Sequence, residues 1–269
     1  MIWKRLLQKL LARFGYEIRR TSIVKAFVPF VQEFNFPGAF FKMWVASADV
    51  VPWYGKDWAE CGEFRALRKL IKVGDRILEI GSHHGFTSML LARFAGQDGY
   101  VLGIEPLPHN AMVAQAQLGL NRSISNLQFI QAACASAAGT VKIHAFHNSR
   151  VIDKESDAES IIVAAVTGDM LDEEYGPFDV IKVDVEGYEL EVLKGCRRLL
   201  SRVPKLALEL HIDDLRERGQ TPTEIFKLIA VERYTGKMVL RPQDYRTLHV
   251  FNPCAIPEKG VINVFLEQK

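Results

Sequence analysis

From residue 64 onward, short apolar runs alternate with stretches of helical spacing. Phe64 to Ile71 has the spacing of a helix, and Arg76 to Ile80 is a short apolar strand. The loop Gly81-Ser-His-His-Gly85 leads into a helix over Thr87 to Ala95. Tyr100 to Ile104 is the next strand, closed by Glu105-Pro106; a helix over His109 to Leu120 and a strand over Leu127 to Ala132 follow. After an interruption, strand Asp179 to Asp184, helix Leu190 to Leu200 and strand Lys205 to Leu210 resume the rhythm. Thr221-Pro-Thr-Glu224 has the pattern of a capping box with Pro at the first helical position. Val261 to Leu266 is a candidate closing strand. Strands alternating with helices predict βαβ units and a parallel sheet.

Two stretches depart from this rhythm. Residues 136 to 178 contain an alternating run, Val141 to Phe146, and a β-branched run, Ile161 to Val166, separated by polar residues 147 to 160. They predict an inserted hairpin or flap. At the other departure, residues 1 to 20 place Leu6, Leu7, Leu10, Leu11 and Phe14 at helical spacing among six basic residues. Such a helix either packs its leucines on the body of the protein or rests on an anionic membrane surface. Residues 21 to 60 are dense in aromatics, from Phe27 to Trp58, which packing explains by default and a lid over a pocket explains equally well. These patterns divide the chain into an N-terminal extension, residues 1–60, and an α/β unit, residues 61–269.

Composition narrows the function classes. With 269 residues and a net charge of +2, there is no global electrostatic case for nucleic acid. Cys61, Cys134, Cys196 and Cys254 are scattered and form no CxxC pair, which fits a reducing compartment. No run reaches the roughly 18 to 20 apolar residues that cross a bilayer. A cytoplasmic protein is expected, with peripheral contact at the inner membrane face through residues 1–20 as an option.

Candidate chemistry sits at strand ends, where open α/β sheets bind ligands. Glu79-Ile-Gly-Ser-His-His-Gly85 has two glycines four apart, which allow a tight turn and close approach of a ligand to the backbone. The spacing is not the G-x-G-x-x-G of dinucleotide enzymes, so a smaller adenosine-containing ligand suits it better than a nicotinamide cofactor. Glu105, ending the second strand, can accept hydrogen bonds from ribose hydroxyls. At the far strands, Asp184 and Glu186 follow one and Glu209 and His211 end the next. If these strands are neighbours the four groups converge. His211 is then a candidate general base. The competing structural roles are a Lys182–Asp184 ion pair and Glu186 as a cap on the helix beginning near Gly187. Glu189 and Glu191 are expected to be solvated helix residues, and His84, His109, His144, His147 and His249 ordinary surface or packing histidines.

These motifs resemble a known family. Ile77-Leu-Glu-Ile-Gly-Ser-His-His-Gly-Phe-Thr-Ser88 is similar to the first motif of class I S-adenosylmethionine (SAM)-dependent methyltransferases, and Glu105-Pro106 to their second. Asp179-Val-Ile-Lys-Val-Asp-Val-Glu-Gly-Tyr-Glu-Leu-Glu-Val-Leu-Lys-Gly195 resembles the signature of FkbM-type methyltransferases. Lys205-Leu-Ala-Leu-Glu-Leu-His211 resembles that family's next strand, and Thr167 to Leu171 its short Thr-x-x-x-Leu segment. The resemblance runs from about Val73 to Tyr234. It implies a doubly wound, mostly parallel seven-stranded Rossmann-like sheet that binds SAM. It places the cofactor on Glu79, Gly81, Ser82, His83, Gly85 and Glu105, with Cys134 near the adenine. His83 stands where the family usually has Asn.

Methyl transfer from a sulfonium needs alignment of donor and acceptor, and removal of a proton when the acceptor is a hydroxyl. Asp184, Glu186, Glu209 and His211 are the candidates for this step; alternatively they hold a divalent cation, Mg or Mn, that acidifies the hydroxyl. The acid-rich turn replaces the Asn/Asp-Pro-Pro-aromatic turn of amino-group methyltransferases. The resemblance implies O-methylation, commonly of sugars or other hydroxylated metabolites, so the expected activity is O-methylation of a glycan or similar hydroxylated small molecule. The alternatives are N-methylation of a protein or nucleic acid, and a non-catalytic SAM-binding module.

Overall fold

The computed structural model describes residues 27–54, 57–144, 151, 160–241 and 244–269. The basic stretch 1–20 and most of the polar segment 147–160 lie outside the described residues.

The central sheet is built on the predicted alternation. Five parallel strands, β3 (Arg76–Ile80), β4 (Tyr100–Glu105), β5 (Leu127–Gln131), β9 (Val180–Val183) and β10 (Lys205–His211), form its body. Three antiparallel strands, β11 (Tyr234–Arg241), β12 (Asp244–Val250) and β13 (Val261–Gln268), complete it in the order β12-β11-β13-β10-β9-β3-β4-β5. The main sheet thus has eight strands, not the expected seven; β12 is the addition, a largely solvent-exposed edge strand whose pattern is too polar to announce itself. β3, β4, β9 and β10 are buried almost throughout, as parallel strands covered on both faces must be.

Helices cover the faces. α2 (Gly62–Leu70) packs against β11, β12 and β13, α3 (Phe86–Ala95) against β3, β4 and β5, and α4 (Pro108–Leu120) against β4 and β5. On the other side lie α5 (Gly168–Tyr175), α6 (Glu189–Lys194), α7 (Arg197–Ser201), α8 (Ile212–Glu217) and α9 (Pro222–Leu228). The single helix expected over Leu190 to Leu200 is broken at Gly195, where a side chain would stand 2.1 Å from the Ala135 carbonyl oxygen. The capping box at Thr221 forms as its pattern predicts.

The two irregular stretches have distinct roles. β7 (Gly139–His144) and β8 (Ser160–Val166) form the inserted antiparallel pair, and β8 also pairs in parallel with β6 (Ala133–Cys134). In the N-terminal part, β1 (Phe30–Phe36) and β2 (Ala39–Val45) form a hairpin, followed by the short α1 (Val51–Tyr54). The open edge of β2 is met by α4 side chains: Gln117 accepts from the Trp44 amide at 2.7 Å, and Asn121 from the Lys42 amide at 2.8 Å. Phe86, the first residue of α3, packs among Phe34, Phe41, Tyr54 and Trp58 with ring centroids 4.9–5.5 Å apart. Most of the aromatics therefore build one core with the helix that follows the glycine loop.

Candidate active site

A cavity of about 420 Å³ opens at the carboxyl ends of β3, β4, β9 and the neighbouring β6. The chain order reverses between β3 and β9, so this is the topological switch point where such sheets bind ligands.

Its first wall is the loop after β3. Gly81 has φ +90, and a Cβ there would lie 1.8 Å from the Asp184 carbonyl oxygen, so only glycine fits. The amides of Gly81 and Ser82 donate to the Ile104 carbonyl at 2.9 and 3.0 Å. Glu105 fastens the loop: its Oε2 accepts from the His83 amide at 2.9 Å and its Oε1 from the Leu107 amide at 3.0 Å. Gly81, Ser82, His83, Glu105 and Cys134 all line the cavity. Gly85, with φ +84, starts α3 behind them.

Glu79 is placed elsewhere. Its carboxylate is fully buried, accepts from the Ser88 hydroxyl and faces Lys182 Nζ at 3.5 Å. It supports the loop from beneath rather than lining the cavity. His84, expected to be ordinary, does line it; burial lowers its pKa to about 3, so it is a neutral ring, with Nε2 3.2 Å from Asn110 Oδ1.

The second wall belongs to β9 and β10. Asp184 and Glu186 line the cavity, and Lys182 Nζ sits 3.5 Å from Asp184 Oδ2. Burial opposes the charge of both; Lys182 nonetheless holds the Asp184 carboxyl below its ordinary range, and Asp184 and Glu79 hold the Lys182 ammonium well above. His211 is buried behind Glu186, with Nε2 3.3 Å from Glu186 Oε2. Burial pushes the Glu186 carboxyl up to about 7 against the pull of His211. Burial alone would lower the His211 pKa, but its bond to Glu189 and the charges of Asp184 and Glu186 push it up to about 10.

Two expectations need correction here. Glu189 is not solvated: it is fully buried, and its Oε1 lies 2.7 Å from His211 Nδ1. It also accepts the Gly187 amide at 3.0 Å, just ahead of α6; the helix has no side-chain cap, so the capping role expected of Glu186 is not filled. The first turn of α6 faces the end of β10, which converts a helix-surface position into a site residue. Glu209 leaves the group: although 3.9 Å from His211 Nε2, it is held by Arg241 at 2.6 Å and Asn263 at 2.8 Å and does not line the cavity. Asp184, Glu186 and His211 offer ligand atoms within 4.8 Å of one another, close enough for a single divalent cation.

The third wall comes from the N-terminal part. Asp49, Val50, Trp53 and Tyr54 line the cavity together with Val185 and Tyr188. No sequence signal separated these residues from the packed aromatics around them.

A methyltransferase FkbM domain model matches residues 79–237. The chain belongs to the FkbM methyltransferase family. It is a SAM-dependent methyltransferase with the Rossmann-like α/β fold expected of it. Among curated proteins, it is 28% identical over 200 residues to the hexuronic acid methyltransferase AglP of Haloferax volcanii, covering 68% of this chain and 74% of that protein. It is 29% identical over 154 residues to the methyltransferase sdnD of Sordaria araneosa, covering 44% of this chain and 59% of the relative's length. A SAM-dependent methyltransferase structure from Aquifex aeolicus aligns over 81% of this chain and 96% of its own, at 15% identity and TM-score 0.45. That likeness is too loose to carry the architecture, which rests on the strand order above.

Proposed function

We propose that this enzyme O-methylates a hydroxyl of a glycan or a similar hydroxylated small molecule, with Glu186 as the proton acceptor. The observation that carries this reading is the second wall: a carboxylate at the cavity surface, pushed to a pKa of about 7, in the same cavity as the loop that would hold the cofactor. A base with that pKa is free to accept a proton at neutral pH. SAM supplies an electrophilic methyl group when bound. The family's cofactor positions fall here on Gly81, Ser82, His83, Gly85, Glu105 and Cys134. Glu105 Oε2 accepts the His83 amide and Oε1 the Leu107 amide and Asn110 Nδ2, and a carboxylate, with about four acceptor sites, is a group that can also meet ribose hydroxyls. Trp53 and Tyr54 supply flat apolar surface of the kind that packs against a sugar ring, and Asp49 an acceptor beside it. The hexuronic acid named for the archaeal relative makes uronate sugars the first acceptors to try.

The spacing of Asp184, Glu186 and His211 favours a second reading of the same wall, in which Mg or Mn held there acidifies the hydroxyl. Chelation followed by Mg addition separates the two, because the proton-acceptor reading expects no change in rate. The proposal as a whole is tested with purified protein, labelled SAM, and p-nitrophenyl glucuronide and glucoside as acceptors. Label transferred to a sugar oxygen supports it. Demonstrated SAM binding with no transfer to hydroxylated acceptors counts against it, as does transfer to amino groups. No described helix is long and apolar enough to cross a membrane. Peripheral contact through residues 1–20 rests on the sequence pattern and is tested by liposome flotation with and without that segment.

A further inference from the structure

Glu189 lies behind the cavity and touches neither proposed ligand, yet it ends a chain of contacts that leads to the cavity wall. Its carboxylate is fully buried, and such a group is costly to desolvate unless it is well bonded. One oxygen accepts the Gly187 amide at 3.0 Å and faces His211 Nδ1 at 2.7 Å. His211 then reaches Glu186 Oε2 through Nε2 at 3.3 Å. Glu186 itself has φ +50, a left-handed backbone that side-chain-bearing residues seldom adopt. Surrounding structure must hold it there. The next residue, Gly187, is pressed against α8 so closely that a Cβ would lie 2.4 Å from Asp214 Cβ. The turn is thus clamped by α8 on one side and by the Glu189–His211 pair on the other.

The remaining charged neighbours do not duplicate this arrangement. Asp184 at the end of β9 is paired with Lys182. Glu209 on β10 is held by Arg241 of β11 and Asn263 of β13. Asp214 on α8 faces Glu186 as a like charge, and its backbone clamps the glycine. Among the described residues, Glu189 is the carboxylate bonded to His211 Nδ1. A carboxylate on Nδ1 fixes a proton there and leaves Nε2 to act on the other side of the ring.

We propose that Glu189 is a positioning residue: its carboxylate orients His211 through Nδ1, and His211 in turn holds the Glu186 carboxylate at the cavity wall for the acceptor hydroxyl. This rests on Glu186 as the proton acceptor. The same bond would orient His211 if the wall held a cation, so the role of Glu189 does not depend on that choice.

The test compares Glu189→Gln, His211→Asn, the double variant and Glu186→Gln with wild type, using labelled SAM and p-nitrophenyl glucuronide and glucoside as acceptors. Gln keeps an oxygen that can accept from Gly187 and His211 but removes the charge, so a purely structural tie to the Gly187 turn predicts wild-type turnover. The positioning role predicts that kcat falls about 10- to 100-fold while SAM affinity stays within about twofold. It also predicts that the double variant loses no more than His211→Asn alone, because the two residues act as one unit. Nitrogen NMR of the wild-type histidines needs no variant to fold, and His211 should show a proton on Nδ1; a bare Nδ1 overturns the proposal. Wild-type kcat in Glu189→Gln, or losses that multiply in the double variant, also overturn it. Unchanged kcat in Glu186→Gln would instead defeat the proton-acceptor reading itself, and with it the reason for the positioning role.

Discussion

The loop wall and the β9–β10 wall of the cavity use carboxylates in opposite ways. On the loop wall, Glu105 is met by neutral donors, the backbone amides of His83 and Leu107 and the side-chain amide of Asn110, which hold the loop's shape. On the β9–β10 wall, Asp184, Glu186 and Glu189 are faced mainly by other ionisable groups, Lys182 and His211. Amides cannot change protonation state; a carboxylate facing an imidazole sits in a balance that one proton can tip. In the proposed mechanism the first wall binds and the second takes the proton.

Substitutions should separate the walls. Glu186→Gln has the largest expected effect, a loss of about 100- to 10,000-fold in kcat with little change in SAM affinity, measured by initial rates and calorimetry. Phe86→Ala removes the ring around which Phe34, Phe41, Tyr54 and Trp58 pack beside the loop. It should cost about 3 to 5 kcal/mol in urea unfolding, which would make the N-terminal hairpin a part of the core rather than an appendage. Glu105→Gln leaves an oxygen for one loop amide but loses the charge and an acceptor. It should weaken SAM binding about tenfold with kcat at saturating cofactor nearly unchanged. If Glu105→Gln instead lowered kcat and spared affinity, the division of labour between the walls would be wrong.

The two walls also differ in how far they could be read before the fold was known. Glu105 and Asp184 stand at or just beyond the ends of apolar runs, and parallel strand ends gather at one edge, so their placement followed from local pattern. The glycine loop was legible for the same reason: Gly81 must be glycine where the chain passes the Asp184 carbonyl. Glu189 was not legible. Helical spacing marked it as surface, and only the docking of the first turn of α6 on the end of β10 buries it against His211. Glu209 shares the strand with His211, but partners on β11 and β13, distant in the chain, remove it from the cavity. Asp49, Trp53 and Tyr54 belong to an aromatic-rich segment in which every ring looked alike until the hairpin set their directions.

The pH dependence of kcat, measured at saturating SAM in wild type and in Glu186→Gln side by side, tests the central claim most directly. In the proposed mechanism the acting form of Glu186 is the carboxylate, and its folded pKa is raised to about 7, so turnover should be lost as pH falls through that value. The wild-type rate should drop about tenfold per pH unit below 7 and level off above it. In Glu186→Gln the residual rate should be low and should lack that limb. A variant that kept the wild-type limb would show that the proton goes to another group, and the β9–β10 wall would have to be reassigned.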